Sequence, residues 1–417
     1  MERLASAPSR QTIGYHRRWQ IRGGKMTPLL YRVVVALSLF IATQQFVFAA
    51  EAMVIRAKHV ITMNGEPLQD VEVLVRNGKI VGIGTAIEPI GEVERVEVHT
   101  LMPGLIDAYS RVGLQGGDSE QTSEVTPEFE TAATINWNAR GFKEAASSGV
   151  TTLHLVPSTD SVICGFGSLV KTAMPQPQLV SRRTGMVLAV CSDPAAGNSA
   201  RSRPDSIYVR QPTNRMGVVW IIRNLLQQTK SGNVQDRFAT AVSLLKPMLT
   251  GETPAFAVSR TSYDIETLLT LADEFSFQPT LMGGHEAYKV VDRLAQRNVP
   301  VIFTASTDTQ LLGEERTDLF WNTPGMLESE GVPVALAGGD LLNRARFAVR
   351  YGMSETGALQ AITTRPATML GVENRLGKIA AEYDADLVAF DGPPLEFTTS
   401  VRWVMVDGQV LQTGDNE

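Results

Sequence analysis

Histidine and cysteine are both scarce in this chain: 417 residues hold five of the first and two of the second. Two cysteines, Cys164 and Cys191, exclude a scaffold built on several disulfides. They read either as a pair available to an oxidising compartment or as two small buried residues. Basic residues are also in short supply. The first fifty residues hold seven of them and one acid, leaving 31 bases against 43 acids, a charge of −12, for residues 51–417. Such a surface makes nucleic acid a poor partner. The apolar run Val33 to Ala42 is broken by Thr43-Gln44-Gln45, short of the roughly twenty residues a spanning helix needs. There is no internal repeat and no low-complexity tract.

What is present is the composition of an ordinary globular protein, with 43% hydrophobic and 20% charged residues. Arg17, Arg18, Arg22, Lys25 and Arg32 precede the apolar run, and Val47-Phe48-Ala49 or Phe48-Ala49-Ala50 offers a small-residue cleavage site. Residues 1–50 are therefore expected to be an export signal cleaved near Ala49 or Ala50, with Met26 a candidate start. The mature protein would be periplasmic or extracellular, and attached to a membrane only if the signal is retained.

From Ala52 to Thr100 the pattern is that of strands, with Val71, Val73 and Val75 alternating with polar neighbours and Asn77-Gly78 marking a tight hairpin. The same signature returns in Ala385 to Phe390 and Val401 to Leu411, across Asp407-Gly408. Neither end has enough apolar faces to stand alone. Together, residues 52–100 and 372–415 are expected to form one small composite β-sandwich. Between them, short apolar runs alternate with amphipathic helices, such as that carrying Ile265, Leu268, Leu269 and Ala272. Over residues 101–371 this α/β alternation implies a (β/α)8 TIM-like barrel; an open doubly wound sheet is disfavoured because no Gly-rich phosphate loop follows the first strand.

The stretch Pro103-Gly104-Leu105-Ile106-Asp107-Ala108-Tyr109-Ser110-Arg111 resembles the first barrel strand of the amidohydrolase superfamily. Gly149-Val150-Thr151-Thr152, Thr363 to Gly371, Gly377-Lys378-Ile379 and Ala385-Asp386-Leu387-Val388 also match its signatures, closest to the imidazolonepropionase-like branch. The resemblance implies a barrel carrying a catalytic divalent metal. Relatives place two histidines at the positions of Tyr109 and Arg111, further histidines on later strands, and a proton-accepting aspartate after the last.

Here those positions are changed. Arg111 has no lone pair to give, and Val258 and Arg260 stand where relatives carry His-x-His. Gly283 takes the next histidine position, with His285 two residues late. Depending on where the strand ends, the aspartate position falls on Gly339 or on Asp340, and Asp340 reads alternatively as the cap of the helix beginning near Leu341. Lys171 resembles a lysine that bridges metals in some relatives. His154, mid-strand among apolar neighbours, reads as a hydrogen-bonded core histidine.

These losses imply an exported, non-catalytic member that binds a small molecule or serves as the inactive partner of an active amidohydrolase paralogue, in a homo- or hetero-oligomer. Arg111, Arg260, Lys171 and His285 are the candidate ligand-binding residues, and Tyr109 and Asp340 the candidate catalytic ones. No cofactor is expected on this reading. The alternative is a metal-dependent hydrolase of carbon–nitrogen bonds such as cyclic amides, holding zinc in a rearranged site of Lys171, His154, His285 and Asp340. A metal-free hydrolase using Tyr109 as acid or base is the third possibility.

Overall fold

The computed structural model describes residues 52–114, 120, 123–173, 176–196, 198, 211–304 and 320–412. The expected signal segment lies outside the described residues. Among these residues no helix is long and apolar enough to cross a membrane.

The chain opens with four strands, Met53–Val60 (β1), Leu68–Arg76 (β2), Lys79–Gly84 (β3) and Glu94–Pro103 (β4). Alternation puts Ile55, Ala57, Val71, Val73 and Val75 into one apolar cluster. Asn77 (φ 53°) and Gly78 (φ 73°) form the β2–β3 turn, both at the positive φ that a two-residue hairpin of this hand requires.

Gly104 alone separates β4 from Leu105–Ser110 (β5). A Cβ there would lie 2.2 Å from Thr151 Oγ1, so only glycine lets the chain cross at this point. After Arg140–Ser147 (α1) comes Val150–Leu155 (β6), parallel to β5. The direction then reverses. Ile163–Phe166 (β7) and Ser168–Lys171 (β8) are two halves of one run that meet at Gly167. Gln178–Ser181 (β9) pairs outside β8, and Met186–Ala189 (β10) pairs with β7. Parallel order resumes with Ala255–Ser259 (β11), Pro279–Gly283 (β12), Val301–Phe303 (β13) and Val334–Leu336 (β14). Arg215–Ser231 (α2), Ala239–Leu249 (α3), Ser262–Phe275 (α4), Val291–Gln296 (α5) and Thr323–Ser329 (α6) lie between these strands in sequence. Leu341–Arg350 (α7), Glu355–Ala361 (α8) and Thr364–Met369 (α9) follow β14. Ile106, Ala108, Val187, Phe256, Met282, Ile302 and Ala335 form the apolar cluster between the strands.

This α/β architecture departs from the expected closed barrel of parallel strands in two respects. The third stave, β7 with β8, runs antiparallel to both of its neighbours, β6 and β10. Among the described residues no ladder joins β14 to β5. The groups that would make that ladder are already used: Ile106 N donates to Ile362 O at 2.9 Å, and Gly338 N donates to the Asp107 carboxylate at 2.8 Å.

Leu387–Phe390 (β15), Val401–Val406 (β16) and Gln409–Gln412 (β17) return to the first sheet, where β15 pairs antiparallel with β4. The composite β layer is hydrogen-bonded as one seven-stranded sheet, in the order β17-β16-β15-β4-β1-β2-β3, and β4 carries it past residue 100 to Pro103. Leu387, Ala389 and Met405 join the cluster of β1 and β2, while Val388, Phe390, Val404 and Val406 face the core shared with the helices. The second tight turn, Asp407 (φ 48°) and Gly408 (φ 78°), packs on the first. A Cβ on Gly78 would meet the Asp407 carbonyl oxygen at 2.9 Å.

Candidate functional site

The C-terminal ends of β5, β11, β12 and β14 carry most of the polar side chains of interest. Pairing of β5 with β6 is irregular between Asp107 and Ser110, and Tyr109 packs against the apolar cluster between the strands. Burial pushes the Tyr109 hydroxyl above its ordinary range; Arg260 and Arg111 oppose the rise, and Asp193 and Cys191 reinforce it. The phenol is therefore protonated at neutral pH, a hydrogen-bond donor.

Arg260 follows β11 and is clamped by Asp193, which sits in a short turn after β10. Nη1 meets Oδ1 and Nη2 meets Oδ2, each at 2.6 Å, and the Thr159 hydroxyl also donates to the carboxylate. Burial would raise the Asp193 carboxyl, but the Arg260 guanidinium outweighs it and holds the group below its usual range.

His285 lies beyond β12 and is 3% exposed, with no hydrogen-bond partner for either ring nitrogen among the described residues. Burial, then Arg260 and Arg344, depress its pKa to about 4 against the pull of Glu286, so the imidazole is neutral at neutral pH. Arg344, in the first turn of α7, donates from Nη2 to Thr304 O at 3.2 Å. Asp107 accepts from Tyr109 N at 3.1 Å as well as from Gly338 N, and burial raises its pKa to about 6.

The amidohydrolase family model matches residues 284–413. The amidohydrolase TasK of Hapsidospora irregularis is 24% identical, across 81% of this chain and 39% of its own length. The chain thus matches well under half of that curated relative. The crystal structure of an amidohydrolase from Thermotoga maritima superposes with a TM-score of 0.75 at 27% identity, covering 86% of this chain and 99% of that one. The chain belongs to the amidohydrolase superfamily. A Xaa-Pro dipeptidase (15% identity, TM-score 0.56, 87% of this chain and 100% of that one) and the A. niger ochratoxinase (17%, 0.54, 88% and 98%) share the fold.

At the positions that the sequence resemblance assigns to metal ligands, the groups present do not suit an ion. Among the described residues no three His, Cys, Asp or Glu side chains are placed to share an ion. Arg111 and Arg260 lack lone pairs, Val258 is apolar, and Gly283 has no side chain.

The rearranged zinc set is not assembled either. His154 donates from Nδ1 to Ala108 O at 2.9 Å, since a carbonyl can only accept, and takes the Thr184 hydroxyl on Nε2 at 2.8 Å. Its burial lowers its pKa to about 4, which keeps this core histidine neutral. Asp340 is exposed and caps α7, accepting from Asn343 N at 3.1 Å and Asn343 Nδ2 at 2.8 Å.

Lys171 is at the other end of the strands. Because β8 runs antiparallel, its last residue lies beside the start of β6, with Lys171 opposite Thr152. There Lys171, 1% exposed, pairs with Asp384 at 2.7 Å, Asp386 at 3.2 Å and Asp407. The expected ligand-binding residues are thus divided. Arg260 and His285 are within electrostatic reach of each other, as are Arg111 and Tyr109, and Lys171 ties the strands to the composite sheet. Asp193 and Arg344 escape a reading by family position. Asp107 lies within the stretch that resembles the first barrel strand, but nothing local marks Asp193 as the partner of Arg260.

Proposed function

We propose that this amidohydrolase-superfamily protein is a non-catalytic binding protein, exported from the cell, that uses the open end of its strands to hold a small molecule. One observation carries the reading: Arg260, standing where relatives place an electron-pair donor, is locked in a two-pronged pair with Asp193. An always-charged guanidinium fixed in that position opposes a dication and cannot itself take a proton from water. Tyr109 supports the same reading, because a hydroxyl held protonated serves as a donor to a ligand and is a poor general base. The test is hydrolysis of N-acyl amino acids, dipeptides and cyclic imides by the purified protein, with and without added zinc or manganese. No turnover above the uncatalysed rate is expected; turnover that chelator abolishes would overturn the proposal.

A further inference from the structure

His285 presents a chemical oddity that the fold alone does not require. It is buried, both ring nitrogens lack partners among the described residues, and the charges that act on it are those of two guanidiniums, Arg260 and Arg344, and of the adjacent Glu286. Glu286 is itself engaged, accepting from Lys289 Nζ at 2.9 Å and from Ser262 N at 2.8 Å. A buried imidazole without partners is costly, and an apolar side chain of similar size would avoid that cost. A binding partner for the ring must therefore tolerate, or exploit, the positive field around it.

We propose that the open end of the strands binds a small molecule through a carboxylate or phosphate group that accepts a hydrogen bond from His285 within the field of Arg260 and Arg344. A neutral imidazole has one N–H to donate, and an oxyanion accepts it in the field of Arg344 and of Arg260, the latter already paired with Asp193. A cationic group would be repelled by both arginines. A neutral amide would satisfy the ring but gain nothing from the charge, so net charge is the property that selects the ligand. The protonated Tyr109 hydroxyl, beside Arg260 and Arg111, adds a second donor in the same region. The inference rests on the reading of this end as a binding site and adds the class of ligand.

The experiment is thermal shift and titration calorimetry on the whole protein at constant ionic strength, with malonate, inorganic phosphate and malonamide as probes, after elemental analysis of the same sample. Malonate or phosphate is expected to raise the melting temperature in proportion to occupancy, and malonamide to leave it unchanged. The anion that acts tells a carboxylate ligand from a phosphate one. His285→Phe, which removes the hydrogen bond to the anion, and Arg344→Gln, which removes a charge from its field, should each weaken that anion by about tenfold or more. If His285→Phe does not fold, Arg344→Gln and the three probes still decide. Metal-free protein that responds to neither anion, or equally to malonamide, refutes the inference and leaves the non-catalytic reading standing. Anion binding that both variants retain refutes it as well. Binding that vanishes with chelator refutes both, because the anion would then sit on a metal.

Discussion

Gly167 and His154 show how tightly single residues set the interior. A Cβ on Gly167 would lie 2.6 Å from His154 Nε2, 2.9 Å from Thr184 Oγ1 and 3.0 Å from the Leu155 carbonyl oxygen. His154 has no room to yield, being hydrogen-bonded on both sides and packed with its ring 5.1 Å from that of Phe256. Gly167→Ala should therefore lower unfolding free energy by about 1–3 kcal/mol, the usual cost of overpacking, in urea denaturation. An unchanged midpoint would mean that His154 is not held as described. At this scale the sequence was informative about what residues cannot do and silent about whom they meet. That Arg111 and Arg260 donate no electron pairs follows from their chemistry. That Arg260 is clamped by Asp193, 67 positions away, does not.

At the scale of elements, most of the strands were legible because alternation and bounding turns leave a local trace. Asn77-Gly78 announced its hairpin, and Val71, Val73 and Val75 the strand before it. What the pattern could not carry was direction. The run 163–171 has the apolar content of a barrel strand, and nothing in it says that it lies antiparallel. Yet direction decides which end its last residue reaches, and so Lys171 belongs to the junction with the composite sheet instead of the open end. Burial works against its charge, but the carboxylates of Asp386, Asp407 and Asp384 outweigh it and hold the lysine above its ordinary range. In return Lys171, Lys79 and Arg375 overcome the burial of Asp384 and bring its carboxyl down to about 2. Lys171→Met should cost about 3–5 kcal/mol at neutral pH, because it strands buried carboxylates without their cation. Part of that loss should return as pH falls and those carboxylates take up protons, a recovery that urea titrations at pH 7 and pH 5 would reveal. A loss of the same size at both values would assign Lys171 a packing role alone.

For the molecule as a whole, buried groups of opposite tendency share one pH window. His154 and His285 have pKa values near 4, below the 6.5 of a free imidazole. The unfolded chain thus binds more protons between those values, and the stability these histidines contribute is full above 6.5 and lost as pH falls to 4. Asp107 and Asp386 are raised mainly by burial, from 3.8 to about 6. They act in reverse, with the folded state gaining stability as pH falls from 6 to 3.8. Each shift is worth about 3 kcal/mol, so the two pairs nearly cancel. Unfolding free energy should stay almost level from pH 6.5 to 4, then fall as the Asp384 carboxylate, held at about 2, is protonated. A steep loss of stability already complete by pH 5 would contradict this balance.

For the open end of the strands, the function proposed above holds that the superfamily's framework is kept while guanidiniums, a phenol and an imidazole unpartnered among the described residues stand in place of metal donors. Elemental analysis of the purified, dialysed protein tests it most directly, in parallel with melting curves recorded with and without chelator. The account predicts transition metal far below one equivalent per chain and superimposable curves. About one equivalent or more of zinc, manganese or iron retained per chain, with a melting temperature that drops on chelation, would contradict it.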